Sequence, residues 1–88
     1  MEIRRLVAWN IRRLRVARGV SQEILALDAQ IDRTYVSRLE RGMENPTVVV
    51  LDRLVAALGC SIFELFAVPA RGDKFPQPLR KGRRRRVE

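Results

Sequence analysis

Apolar residues recur along the first half of the chain at the spacing of an α-helix. Between residues 3 and 18 they lie three and four positions apart, which predicts a first helix that ends at Gly19. A second helix is predicted after Ser21, whose hydroxyl can accept from a free N–H of the first turn. A third follows Asp32 and ends at Gly42, because a helix end favours a residue that tolerates positive φ. The apolar stripe of the first helix is Ile3, Leu6, Val7, Ile11, Leu14 and Ala17.

Two further helices are predicted after a loop that contains an Asn-Pro turn dipeptide. The fourth helix runs from about Thr47 to Gly59; three opening valines (48–50) suit a strand, but the leucines that follow keep helical spacing. The fifth helix is short and begins at Ser61, which forms an S-x-x-E capping box with Glu64. The pattern therefore predicts an all-α protein with five helices.

The charge of the chain changes abruptly near Pro69. Residues 1–70 carry ten arginines and eight acids, a balance of +2, whereas residues 71–88 carry eight basic residues and two acids, a balance of +6. The second segment has proline and glycine breaks and no periodic pattern, so we expect it to be disordered in isolation. The prediction is a helical domain over residues 1–69 and a basic tail over residues 70–88.

Positive charge in the tail favours DNA, because neutralising phosphates supplies affinity that does not depend on sequence. We expect the tail to follow phosphates or to enter a minor groove; a tail that only improves solubility is the alternative. The residues expected to contact phosphate are Arg80, Lys81, Arg83, Arg84, Arg85 and Arg86.

Composition excludes several classes of protein. The chain has one Cys and no His, which excludes zinc fingers, His-based catalysis and an intramolecular disulfide. It has no carboxylate pair, no nucleophile beside a base and no phosphate loop, so we expect neither an enzyme nor a metal or cofactor site. The apolar runs are too short to span a bilayer, and charges interrupt any signal peptide. We expect a cytoplasmic bacterial or phage-encoded protein without a small-molecule effector.

The second and third predicted helices form the segment most informative about function, SQEILALDAQIDRTYVSRLERG. Two helices of about eight to ten residues, separated by roughly three, have the spacing of a helix-turn-helix. Side chains near the start of the second helix of such a motif reach base edges in the major groove. On a basic chain without catalytic groups, this predicts a sequence-specific DNA-binding protein.

This segment resembles the helix-turn-helix of the phage-repressor and xenobiotic-response-element-type regulators. The flanks extend the resemblance to residues of about 5–66: NIRRLRVARGVSQ is similar to the family's first helix and glycine turn, and ENPTVVVLDRLVAALGCSIFELF to its fourth and fifth helices. The stretch DRTYVSRLERG is especially similar to controller proteins of restriction–modification systems. The resemblance implies a five-helix lambda-repressor-like domain and a transcriptional regulator, with repressor and activator both open.

The resemblance also implies roles for single residues. Positions matching Arg33, Thr34 and Arg38 contact bases, and the one matching Gln22 binds a phosphate or braces the reading helix. Those matching Arg15 and Glu40 form an ion pair between the first and third helices, from which the arginine also reaches a phosphate. For the arginines of the third helix, solvated surface charges are the alternative. For Tyr35 the alternative is packing against the loop, and for Arg15 and Glu40 it is two independent surface charges. The predicted base readers are Arg33, Thr34, Ser37 and Arg38, and the predicted backbone contacts are Gln22, Tyr35, Arg15 and Arg41.

Three positions depart from the expected pattern. Gln30 stands in the turn where the family usually has glycine, so we expect the turn to be either slightly strained, with Gln30 at positive φ, or differently shaped. Ile24 replaces a residue that is often polar and is expected to be exposed or to make an altered contact. Asn10 interrupts the apolar stripe of the first helix, so we expect it to hydrogen-bond to backbone if it is buried.

A second copy of the chain is expected from the size of the DNA contact. One reading helix covers about four to five base pairs, too few to select a site in a genome. We therefore predict a homodimer on a palindromic operator with half-sites about one helical turn apart. An antitoxin that binds both DNA and a toxin is the alternative. The predicted dimer interface is Ile62, Phe63, Leu65, Phe66 and Val68.

Overall fold

The computed structural model of the chain describes residues 2–70, and the regular secondary structure of these residues is entirely helical. In chain order the helices are α1 (Ile3–Ala17), α2 (Gln22–Ala29), α3 (Arg33–Glu40), α4 (Val48–Leu58) and α5 (Ile62–Leu65). This confirms the predicted all-α, five-helix architecture. The predicted tail contacts Arg80, Lys81 and Arg83 to Arg86 lie outside the described residues.

Each of the last four helices begins at a side chain that caps it. Ser21 Oγ accepts from the N–H of Ile24 at 3.0 Å, and Asp32 Oδ2 accepts from the N–H of Thr34 at 2.9 Å. At α5 the Ser61 hydroxyl and the Glu64 carboxylate form the predicted capping box. Such caps each stabilise a helix by about 1 kcal/mol, which explains why the local sequence marks these boundaries clearly. Thr47 likewise caps α4, so the three valines that follow it are helical.

The core lies where α1 and α4 meet the other helices. α1 packs against α3, α4 and α5, and α2 packs against both α3 and α4.

The middle of the predicted α1 stripe is buried, but Ile3 and Ala17 at its two ends are exposed. The stripe therefore faces the core only between Leu6 and Leu14. No helix within residues 2–70 has the length and apolar character to cross a membrane. Fully buried apolar side chains include Ile11, Leu25, Val36, Leu39, Leu54 and Leu65.

Asn10 links α1 to the end of α5. Its Nδ2 donates to the carbonyl oxygens of Leu65 and Ala67, both at 2.9 Å, and to that of Leu6 at 3.2 Å. Arg13 donates to Asn10 Oδ1 at 3.1 Å, so the amide is bonded at both of its polar atoms. The prediction that a buried Asn10 bonds to backbone is confirmed, and these bonds fix α5 on α1.

Candidate nucleic-acid interface

α2 and α3 form a helix-turn-helix around a left-handed residue. Gln30, in the turn, has φ 59° and ψ 45°, as expected for a position at which glycine is usual. The N–H of Ile31 donates to the carbonyl of Ala26 at 3.0 Å and closes the end of α2. Because Ala26 and Ala29 are small and buried, the two helices approach closely. The predicted helix-turn-helix at α2 and α3 is confirmed.

α3 has one buried face and one open face. Val36 and Leu39 are buried in the core, and they hold the helix against α1 and α2. The open face carries Arg33 and Thr34, which are exposed, and one turn further on Ser37 and Arg38, which are partly exposed. The structure therefore brings the four predicted base readers together. This face, consisting of Arg33, Thr34, Ser37 and Arg38, is called the reading face below.

The reading face has an acidic neighbour that sequence reasoning missed. Arg38 Nε donates to Glu44 Oε2 at 2.7 Å, and both side chains are partly exposed. Glu44 lies in the loop after α3, six residues beyond Arg38, a separation that no helical pattern would pair. In the sequence, this pair is indicated only by the presence of an acidic residue in the loop just after the third helix.

Tyr35 is half-buried beside the reading face. Burial raises the pKa of its phenol, and the negative charge of Glu44 raises that pKa further. The hydroxyl therefore stays protonated at neutral pH and is available as a donor to a phosphate.

A buried polar cluster joins α1, the start of α2 and the end of α3. Arg15 donates to Glu40 through Nε at 2.6 Å and through Nη2 at 3.0 Å, and its Nη1 donates to the carbonyl of Val20 at 2.8 Å. Gln22 Nε2 donates to Glu40 Oε1 at 3.1 Å. The expected ion pair is present, and Gln22 braces the reading helix through it. Phosphate contacts by Arg15 and Gln22 stay predictions.

Arg41 lies away from the start of the reading face. It follows the last residue of α3, about two helical turns from Arg33. Its Nε donates to the carbonyl of Ser37 at 3.3 Å. Together with Arg5, Arg12 and buried Trp9 it lines a groove of about 460 Å³ between α1 and the end of α3. Its DNA-backbone contact remains a prediction.

The predicted dimer interface separates into exposed and buried residues. Phe63 is 82% exposed and Val68 is 79% exposed, and Ile62 and Phe66 are also open. Leu65 is 0% exposed and belongs to the core, so its assignment to the interface is wrong. A four-residue helix turns one side inward, and Leu65 occupies that side. The exposed set, Ile62, Phe63, Phe66 and Val68, is called the α5 surface below.

Residues 2–70 hold one thiol, that of Cys60, and several carboxylates. They contain no cluster of three or more side chains suited to a metal ion. Burial raises the pKa of the Cys60 thiol, and the nearby Glu64 charge raises it further. A thiol with a raised pKa is a poor nucleophile at neutral pH.

Known proteins are similar to this chain in sequence and in fold. The sequence pattern of the helix-turn-helix family matches residues 11–65. An HTH-type transcriptional regulator of Sinorhizobium fredii is 45% identical over 65 residues, which are 74% of this chain and 84% of that protein. The structure of the restriction–modification controller protein C.AhdI from Aeromonas hydrophila is 40% identical, with a TM-score of 0.70 over 72% of this chain and 96% of that one.

A second controller protein, C.Esp1396I, has been crystallised as a tetramer in complex with its natural 35-base-pair operator. It is 32% identical to this chain, with a TM-score of 0.70 over 75% of this chain and 91% of that one. The similarity thus extends to a relative that binds operator DNA.

Proposed function

Because the chain belongs to the helix-turn-helix family of DNA-binding transcriptional regulators, we propose that it binds a palindromic operator as a homodimer. In each half-site α3 lies in the major groove. The protein acts in the bacterial cytoplasm, in association with the nucleoid, whether its gene is bacterial or phage-encoded.

The observation that carries the proposal is the division of α3 into a buried face and a reading face. Val36 and Leu39 anchor the helix, and an α-helix fits the wide major groove of B-DNA. Arginine can donate two hydrogen bonds to guanine O6 and N7, and the Thr34 methyl can contact the methyl of thymine. The base readers are Arg33, Thr34, Ser37 and Arg38, and the backbone contacts are Gln22, Tyr35, Arg15 and Arg41.

The α5 surface supports the dimer. Phe63 and Val68 are largely exposed to solvent. A surface that exposes several large apolar side chains is typical of a protein–protein interface. Burying this surface against its two-fold copy removes that apolar area from water and places two copies of α3 on one face of DNA.

The basic tail completes the proposal. Residues 1–70 have a balance of only +2, so the tail over residues 71–88, with its balance of +6, supplies most of the attraction to phosphate. Replacing Arg83 to Arg86 by serine in the full chain should reduce the slope of log affinity against log salt. An unchanged slope would mean that these arginines release no counterions and that the tail is idle.

Selection of bound duplexes from random DNA tests the proposed function directly. The expected result is a palindrome whose half-sites lie about one helical turn apart. In the same assay Arg38→Ala should lose base preference at one position in each half-site, whereas Gln22→Ala should lose affinity uniformly across sequences. Recovery of no enriched sequence would overturn the proposal.

A further inference from the structure

The Arg38–Glu44 pair leaves the two terminal nitrogens of the guanidinium available. Arg38 donates to Glu44 Oε2 through Nε at 2.7 Å. Within residues 2–70 Nη1 and Nη2 of Arg38 form no hydrogen bond. The guanidinium is planar, so a bond at Nε also sets the direction in which the terminal nitrogens point. Those two nitrogens can form the forked pair of bonds with guanine O6 and N7.

The loop that carries Glu44 is held firmly against α3. The N–H of Gly42 donates to the carbonyl of Leu39 at 3.0 Å, and the N–H of Met43 donates to the carbonyl of Arg38 at 3.0 Å. Gly42 has φ 73°, which allows the chain to reverse there and to bring Glu44 back towards the reading face. The backbone of the loop thus brings Glu44 within reach of Arg38, and the two side chains meet at 2.7 Å.

A carboxylate at this place has two effects on DNA binding. It reduces the rotamer freedom that the Arg38 side chain would otherwise lose on meeting a base. It also repels phosphates, which weakens binding to duplexes that offer Arg38 no guanine. Burial raises the pKa of the neighbouring Tyr35 phenol, and the Glu44 charge raises that pKa further, so the carboxylate also acts on this side chain.

We propose that Glu44 is a specificity-determining residue of the reading face. It orients Arg38 through Nε so that both terminal nitrogens meet a guanine, and its charge lowers the affinity for unrelated DNA. This role rests on the proposed operator binding.

The main test compares Glu44→Gln with the unaltered full chain on three duplexes: the selected operator, the operator changed at the guanine read by Arg38, and random DNA. Glu44→Gln should reduce the preference for that guanine by about fivefold or more, the range of one good base contact. Its affinity for random DNA should rise. Glu44→Asp, which keeps the charge but is one methylene shorter, should lose guanine preference without gaining affinity for random DNA.

Two controls isolate the effect. Asp52→Asn removes an equal charge from an exposed position on α4 and should leave the guanine preference unchanged. In an Arg38→Ala background, Glu44→Gln should have no further effect on the guanine preference, because the group that it orients is gone. The proposal would be overturned if Glu44→Gln reduced the guanine preference equally in the parent chain and in the Arg38→Ala background.

A measurement without DNA separates this inference from the proposed function. In the free full chain the Nε–H of Arg38 should give an NMR signal that exchanges slowly with water, and Glu44→Gln should speed that exchange severalfold. An unchanged exchange rate, or full guanine preference in Glu44→Gln, overturns the role of Glu44 even if the operator is bound. Failure to select any operator would instead overturn the proposed function, whatever the exchange rate.

Discussion

Arg15 and Glu40 form a buried two-point ion pair between α1 and α3. The contacts are Nε to Oε2 at 2.6 Å and Nη2 to Oε1 at 3.0 Å, and the residues are 4% and 1% exposed. Because Arg15 also bonds to the carbonyl of Val20 and Gln22 also bonds to Glu40, the pair joins both ends of the α1–α2 turn to the end of the reading helix.

Breaking this pair should destabilise the fold strongly. Arg15→Ala or Glu40→Ala leaves a buried charge without its partner, and we expect each to lower the free energy of unfolding by about 3–5 kcal/mol. Replacing both residues together by Met and Leu should recover most of that loss, since no buried charge remains. Urea denaturation measures the effect. Arg4→Ala, which breaks a half-exposed pair with Glu2, serves as the control and should cause no measurable change.

Gln30→Gly should stabilise the chain. Gln30 has φ 59°, a conformation that costs a residue with a Cβ about 1 kcal/mol or more and has no steric cost for glycine. We expect a higher melting temperature. The matched change Glu23→Gly, inside α2, should lower stability by about 1 kcal/mol because glycine is a poor helix former there. A lower melting temperature for Gln30→Gly would show that the turn carries no strain.

Asn10→Leu should weaken both the fold and the dimer. The change keeps the number of side-chain heavy atoms but leaves the carbonyls of Leu65 and Ala67 without their donor, at a cost of about 1–3 kcal/mol. Since these bonds fix α5 on α1, the α5 surface should also lose its defined position. We expect sedimentation equilibrium to show weaker self-association at concentrations where the variant is still folded. A variant as stable as the parent would contradict this account.

Phe63→Ser should weaken self-association and leave stability nearly unchanged, whereas Leu65→Ala should lower stability. Phe63 is 82% exposed, so its replacement should leave monomer stability nearly unchanged while it abolishes self-association. Leu65 is fully buried, and its truncation should cost about 2–5 kcal/mol in stability. Sedimentation together with thermal melting separates the two outcomes. If Phe63→Ser still sediments as a dimer at tens of micromolar, the α5 surface is not the interface.

The thiol of Cys60 should react slowly at neutral pH. Burial, and then the charge of Glu64, raise its pKa in the folded chain. The midpoint of the rate of alkylation by iodoacetamide should therefore lie at higher pH in the folded chain than in urea. The sign for stability follows, because an acid with a raised folded pKa loses stabilisation as the pH rises through that pKa. Cys60→Ser should remove this part of the alkaline loss of stability.

Much of the fold could be predicted because its signals are local. Ser21 and Asp32 cap their helices through atoms two or three residues away, and Gln30 and Gly42 adopt positive φ because of where α2 and α3 end. The periodic apolar residues then predict which side of each helix faces inward. The helix-turn-helix and the reading face follow from these local rules together with the resemblance.

The tertiary structure decided which residues meet across long stretches of chain. Leu65 faces inward and Phe63 outward because of how α5 lies on α1, and a four-residue helix is too short for its pattern to say so. Glu44 reaches Arg38 only because the loop turns back at Gly42.

The amino-acid sequence by itself determined the helices, their ends, the identity of the motif and the excess of positive charge, since each depends on neighbouring residues or on a simple sum. The packing of those helices determined the partners of Asn10, the burial of Leu65 and the surroundings of Arg38. Such contacts join residues far apart in the chain, and their geometry exists only once the core has formed.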